Sequence, residues 1–501
     1  MKLNPYKQIS EQDLDEMIFI MDTHYITDNG YNEMAQRRKE LPRGCGIIKR
    51  RHQLNSTCEI FHLEGEYKGV YKSLKSHLTK NLSEKAHLIQ DGKVKIKFSG
   101  DGTRAGSKKH MINVSYTIVG ESTCASERGN YLLAIVQCPE TGETIQAALK
   151  ALIDEVNSLT SVTVDGKEVM VEVFIGGDLK FLNQVTGIGG FASIHSCLWC
   201  KCSKLDRSDV SLDWSMTDVT KGARTVDEIT ENSGKPKSSK SRFNCNSPPI
   251  FHSVPISRIV PDTLHLFLRI MDQLVYQLVY YLQSCDNIVR LSPNTNLQEC
   301  DNLMRFENFV SSLGIYDWKL IIKDSKLQPR SFTGPEHRRI LANIDLDLLI
   351  PTHPKLEQIK TLWSNFKTLI GQLNCILSDD EIDQFDSSAK AWVDLYSRVY
   401  LAKDVTPYMH VFAYHVSEVM RMYGNPTYFS QQGLEKLNDL VTKWYFRSTN
   451  FGENALEQIM KKQHRLRLLE EKCKRTLNWQ VTCSICKKQD GHNKRTCPMR
   501  I

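Results

Sequence analysis

The residues best suited to chemistry are carboxylates and metal ligands set far apart in the chain. Asp101 lies in Phe98-Ser99-Gly100-Asp101-Gly102, just past the expected end of a strand, and Asp178 closes another strand beside Gly176 and Gly177. Strand ends on one edge of a sheet can bring such acids together across 77 residues of sequence. Two neighbouring carboxylates repel each other unless a cation sits between them, so the pair suits Mg2+ or Mn2+. Phosphodiester cleavage by two metals about 4 Å apart needs oxygen ligands of this kind. Asp-Gly and Gly-Asp are also ordinary turn dipeptides, and spacing alone leaves that role open.

Cys197-Leu198-Trp199-Cys200 has the two-residue gap that lets both thiolates reach one zinc, but it is half a site. His410 and His415, in the stretch that begins at Pro407, are candidates for the other half. Five residues turn a regular α-helix by about 500°, so the two imidazoles do not share a helix face. They converge only if Pro407 starts the helix late and His410 lies in a loose first turn; otherwise they are core or surface histidines. No His-x-Glu adjoins the cysteines, which speaks against a catalytic zinc there. Near the C-terminus, Cys483-x2-Cys486-x5-His492-x4-Cys497 offers three thiolates and an imidazole, a complete tetrahedral set for Zn2+. It resembles a zinc knuckle with one extra residue before the histidine. Knuckles bind single-stranded or distorted nucleic acid, and the flanking lysines and arginines suit such a role.

These residues need a framework. In Lys93 to Phe98, Val94, Ile96 and Phe98 alternate with lysines, and Ile112 to Ile118 alternates in the same way. The pattern predicts two half-buried strands joined through a Gly102 to Gly106 turn. Tyr131 to Val136 reads as a central strand, Glu143 to Leu159 as an amphipathic helix, and Val169 to Ile175 as a fourth strand. Three antiparallel strands, a helix and a returning strand make the opening half of an RNase H-like fold. From Cys202 to about Asp404 the pattern is helical and irregular, with Glu231 to Pro249 rich in Ser, Lys, Gly and Pro and expected as a flexible loop. Thr263 to Leu282 is apolar but interrupted by Arg269, Asp272 and Gln273, which predicts a buried helix and not a membrane span. Residues 11 to 54 read as short helices, with Asp28 capping Gly30 to Glu40 and Pro42 stopping it.

With 501 residues, 41% apolar and 25% charged, the chain has room for two to four domains with cores. Its polar first residues lack the apolar run of a signal peptide, so an intracellular protein is expected. Fifteen cysteines then point to metal sites and not to a disulfide framework. The net charge of +7 is uneven: from Lys461 onward twelve Lys or Arg face three acids, and Arg37, Arg38, Lys39, Arg43, Lys49, Arg50 and Arg51 form a second basic run. Both ends are expected to bind a polyanion.

The order of these motifs resembles the Transib transposases and the catalytic subunit of the V(D)J recombinase. That family has an Asp after the opening strand, an Asp at a strand end, a Cys-x-x-Cys, a distant His-x4-His and a Glu on a later helix. The matching positions are Asp101, Asp178, Cys197 with Cys200, His410 with His415, and Glu435 in Gly433-Leu434-Glu435-Lys436-Leu437-Asn438. Val260-Pro261-Asp262-Thr263-Leu264-His265 also resembles a stretch of that family. The resemblance implies an α/β protein whose RNase H-like core is interrupted by a long, mostly helical zinc-binding insertion. Its parts would be 1–90, helical and DNA-binding or dimerising; 91–195, the first part of the core; 196–415, the insertion; 416–455, the last part of the core with Glu435; and 456–501, a basic helix and zinc knuckle. It further implies Asp101, Asp178 and Glu435 as catalytic ligands of Mg2+ or Mn2+, and Cys197, Cys200, His410 and His415 around a structural Zn2+. The function implied is cutting and joining double-stranded DNA at transposon ends through a hairpin, in the nucleus, by a homodimer, with an accessory subunit left open. A catalytically silent DNA-binding protein derived from such an enzyme is the alternative.

Overall fold

The computed structural model describes residues 9–38, 40–106, 109–286, 300–316, 318, 320–323 and 326–476. Cys483, Cys486, His492 and Cys497 lie outside them. Alternation along the strands builds a mixed seven-stranded sheet from β1 (Phe61–His62), β2 (Lys68–Tyr71), β3 (Lys93–Ala105), β4 (Lys109–Ile118), β5 (Tyr131–Gln137), β6 (Ser161–Val164) and β7 (Lys167–Gly176). Their order is β1-β2-β5-β4-β3-β7-β6. β3 pairs antiparallel with β4 and parallel with β7, and β4 pairs antiparallel with β5.

The two faces of this sheet differ in chemistry. Val94, Ile96 and Phe98 of β3, with Val114 and Tyr116 of β4, join the main apolar core, which also holds Leu74, Leu78 and Leu82 of α4 (Leu74–Glu84). Lys97 and Ser99 of β3, with Asn113, Ser115 and Thr117 of β4, alternate with them and are also buried, so the opposite face is polar but covered.

Several boundaries depart from the sequence expectation. β3 does not end before Asp101: its ladder with β4 runs to Ala105↔Lys109, and Asp101 faces Asn113 within it. The pairing with β7 does stop at Ser99↔Gly176, so Asp101 projects beyond that neighbour. The helix expected from Glu143 to Leu159 is two, α5 (Gly142–Ala148) and α6 (Lys150–Ser158), because Leu149 leaves helical geometry at φ −105°, ψ 17°. β6, β1 and β2 were not expected.

At the N-terminal end, α1 (Glu11–His24), α2 (Asp28–Arg37) and α3 (Gly44–Ser56) are the short helices foreseen there, although Thr27 and not Asp28 caps α2. Beyond the sheet come α7 (Leu179–Thr186), α8 (Val226–Ser233), α9 (Thr263–Cys285), α10 (Asp301–Ser312), the hairpin β8 (Leu320–Lys323) and β9 (Lys326–Pro329), α11 (Gly334–Asn343) and α12 (Leu346–Leu349). These are followed by α13 (Leu356–Gln372), α14 (Asp379–Val399), α15 (Pro407–Tyr414), α16 (Val416–Tyr423), α17 (Gln432–Ser448) and α18 (Ala455–Thr476). Among the described residues no helix is long and apolar enough to cross a membrane. The stretch expected as a flexible loop, Glu231 to Pro249, contains a buried anchor: Cys245 is fully enclosed, and Arg242 donates to its carbonyl at 2.6 Å.

The chain divides into two units, one spanning Leu63 to Asp439 and one made of the segments before and after it. In the second, Ile18, Met21, Tyr31, Ala35, Ile47 and Leu54 pack with Leu469 and Cys473 of α18. Here the basic run of α18 is partly spent internally. Arg465 forms a buried two-pronged ion pair with Asp22 at 2.8 and 2.9 Å, while Arg50 and Arg51 pair with Asp15 and Asp28.

Candidate metal centre and acidic site

Cys197 and Cys200 follow α7 in an irregular segment held by Arg224. This guanidinium, 2% exposed, donates its Nε to the carbonyls of Cys197 and Cys200, each at 3.0 Å, and an Nη2 to that of Phe243 at 3.0 Å. One cation thus holds both backbone carbonyls of the Cys-x-x-Cys turn. His410 and His415 arrive from the far end of the long helical region. Pro407 opens α15 as expected and His410 lies one turn in, hydrogen-bonded regularly to Thr406. The looseness foreseen at His410 is found instead at His415, the break between α15 and α16, which swings the second imidazole around.

Cys197 Sγ lies 3.4 Å from His415 Nε2, and Cys200 Sγ lies 3.2 Å from His410 Nε2. All four ligand atoms fall within 4.8 Å of one another and all four residues are buried, so the cluster can hold a metal ion. Bond lengths of about 2.3 Å to sulfur and about 2.0 Å to nitrogen put neighbouring ligands of a tetrahedral zinc roughly 3.3–3.8 Å apart, close to these separations. Burial opposes a charged thiolate, yet the Cys200 hydrogen bond and the His415 charge hold the Cys197 thiol well below its ordinary range. Burial likewise opposes the His415 imidazolium, but Cys197 and Glu418 raise it to about 9. His415 Nδ1 meets Glu418 Oε2 at 3.2 Å, and Glu418 accepts from the Met216 amide at 2.8 Å. This carboxylate fixes which ring nitrogen faces the sulfurs.

The second assembly lies on the sheet. Asp101 comes from β3, Asp178 from the N-cap of α7 just past β7, and Glu435 from the first turn of α17. Burial, then the charges of Asp178, Glu435 and Glu140, push the Asp101 carboxyl up to about 7, which places the other three acids within electrostatic reach of Asp101. Asp178 Oδ1 accepts from the Phe181 amide at 2.7 Å. Asp101 Oδ2 accepts from Asn438 Nδ2 at 2.5 Å, and Asn438 Oδ1 accepts from Asn113 Nδ2 at 2.8 Å. The residue opposite Asp101 in the ladder thus reaches it again through α17.

Three contributors were not foreseen. Glu140, just after β5, pairs with Lys180, and its Oε1 is buried without a hydrogen-bond partner among the described residues. Asn438 carried no signal beyond lying one turn after Glu435. His265 sits between Asp262, whose Oδ2 meets Nδ1 at 2.5 Å, and Glu435, whose Oε1 lies 3.3 Å from Nε2. Burial disfavours its charged form, but Asp262, Glu435 and Asp178 together raise it to about 9, so it is a cation at neutral pH. Its readable signal was Asp262-x-x-His265, a capping Asp and a residue one turn in, at the start of α9. Compared with known proteins, the chain matches no family model and no curated relative.

Proposed function

We propose that this chain is a metal-dependent DNA transposase or recombinase of the three-carboxylate kind, similar to the Transib and V(D)J recombinase family. The observation that carries the reading is the meeting of Asp101, Asp178 and Glu435 from three separate elements in one charge cluster. The strand order β5-β4-β3-β7, three antiparallel strands and then one parallel, supports an RNase H-like core. A carboxylate helix that follows a long helical insertion supports it too.

Asp101, Asp178 and Glu435, with Glu140 beside them, would hold Mg2+ or Mn2+. The buried oxygen of Glu140 that has no partner among the described residues and the raised Asp101 fit a site whose acids outweigh its own cations, His265 and Lys180. A bound dication would supply Lewis acidity and an activated water or 3′-hydroxyl for phosphodiester attack. The protein's own groups hold the acids in place: Asn438 orients Asp101, the α7 amide orients Asp178, and the His265 imidazolium steadies Glu435. Cys197, Cys200, His410 and His415 would hold a structural Zn2+ with no open position. A cavity of about 490 Å³ lined by Phe191, Tyr276 and Tyr408 offers stacking groups of the sort nucleic acid uses, with Arg269 in its wall paired to Asp272. Two element ends must be held at once, so the working form is a dimer.

The test is Mn2+-dependent nicking of duplex DNA by the full chain and by Asp101→Asn. Nicking should fall about a thousandfold or more in the variant while DNA affinity stays the same. Equal cutting by the variant removes Asp101 from the reaction. DNA binding with no cutting by the wild type makes the chain a silent binding protein.

A further inference from the structure

Lys97 points into the covered polar face of the sheet and is fully buried. Among the described residues no carboxylate is hydrogen-bonded to it. Its ammonium donates instead to the carbonyls of Phe429 at 3.2 Å and Ser430 at 2.7 Å. Those carbonyls close the 3-10 turn Pro426–Phe429, directly before α17. The residue after them, Gln431, donates its amide to Asp262 Oδ1 at 2.8 Å, and its side chain reaches Ser99 Oγ at 3.4 Å. Helical hydrogen bonding then runs from the Gln431 carbonyl to the Glu435 amide at 2.9 Å.

Room has been made for this lysine. A Cβ on Gly176 would lie 2.7 Å from Lys97 Cδ and 2.7 Å from Gln431 Nε2. A methionine would fill the same channel without the penalty of burying an ammonium. The two carbonyls and the charge of Asp262 offset part of that penalty, while Ser115 Oγ, Thr117 Oγ1 and Gln431 Oε1 nearby have no hydrogen-bond partners among the described residues. What the ammonium adds over methionine is direction, since it fixes two consecutive carbonyls of the chain that leads into the Glu435 helix.

We infer that Lys97 is a positioning residue that sets the register of the first turn of α17, and so holds Glu435 opposite Asp101 and Asp178. The role in catalysis rests on the transposase reading above; the role in placing the helix does not. Buried polar groups used in this way select one arrangement among several of similar energy and do not add stability.

The test compares full-length wild type, Lys97→Met, Lys97→Arg and Glu435→Gln. Three quantities are followed: hydrogen exchange at amides 430–438, affinity for Mn2+ alone by calorimetry, and kcat and KM for Mn2+-dependent nicking. In Lys97→Met, exchange at 430–438 should quicken about tenfold with other helices unchanged. Its Mn2+ affinity should fall toward that of Glu435→Gln, and kcat should drop about a hundredfold at constant KM. Lys97→Arg, which keeps the donors, should recover most of the protection. Unchanged exchange and Mn2+ affinity in Lys97→Met overturn the inference. So does a Lys97→Met protein that fails to fold or loses protection in every helix, because Lys97 is then a stability residue. A wild type that binds Mn2+ but leaves DNA intact sinks the transposase reading alone, since neither the exchange nor the metal titration involves DNA.

Discussion

Asp101 sits where its proton is favoured until a cation arrives. Its carboxyl is raised to about 7 in the folded protein, against about 4 when unfolded. A raised value means that its share of stability is complete below pH 4 and is lost as pH climbs through 7. In metal-free protein, Asp101→Asn should therefore raise the thermal midpoint by a few degrees at pH 8 and leave it unchanged at pH 4. Adding Mg2+ at pH 8 should stabilise the wild type and not the variant. A midpoint that responds equally at both pH values would show that Asp101 is not strained by its neighbours. Asp178 was marked by the glycines that end β7, whereas Asp101 was read at a strand end and lies inside the β3 ladder; spacing left both open, and the resemblance joined them to Glu435. Glu140 and Asn438 were not legible, since they act on Asp101 from across the sheet or from a helix 337 residues away, and His265 had only its spacing from Asp262 to mark it.

At the scale of elements, Gly433 gives a sign that competing effects decide. Alanine in a helix interior is better than glycine by about 1 kcal/mol, so propensity alone predicts that Gly433→Ala stabilises α17. But a Cβ there would lie 2.7 Å from the carbonyl oxygens of Cys124 and Ser126 and would strike the Asn130 amide. Overpacking against fixed backbone costs about 1–3 kcal/mol, so Gly433→Ala should be destabilising overall in denaturant titration and should slow nicking. A stabilised variant would mean that the 124–130 segment yields freely. The same scale shows which elements could be read. β3 and β4 were visible from alternation, and β5 from a continuous apolar run. β6 was overlooked although Asp165 and Gly166, at φ 48° and 79°, form the Asp-Gly turn that joins it to β7. β1 and β2 hold two and four residues, too few for a period to show. The break at Leu149 has no breaker residue to mark it.

For the whole molecule, the Cys197, Cys200, His410 and His415 cluster joins segments 210 and 218 residues apart. Cys197→Ser should release bound zinc and lower the thermal midpoint by about 10 °C. If zinc content and midpoint both stay the same, the four residues are a packed core and not a metal centre. The Cys pair was legible as half a site, and its partners entered through the resemblance, because the geometry depends on a helix break that the histidine spacing does not reveal. Charge counting does not separate exposed from buried cations in the other unit. It read α18 as a surface for polyanions, whereas Arg465 is 6% exposed and Lys462 4%, both turned inward toward Asp22. An ion pair 443 positions apart leaves no trace in a local charge sum.

The neck formed by those two cysteines and two histidines also bears on how such a chain can change over generations. The lobe between Cys200 and His410 leaves and re-enters at a point where Sγ and Nε2 stand 3.2 Å apart. Once that point is clasped, the stretches of the segment that touch neither the sheet nor the Asp262–His265 turn form loops whose length matters little. Doubling one would cost about 0.6 kcal/mol of closure entropy. Descendants can therefore lengthen or trim those stretches while Glu435 keeps returning to the same strands, provided the clasp and the Asp262–His265 turn are inherited whole.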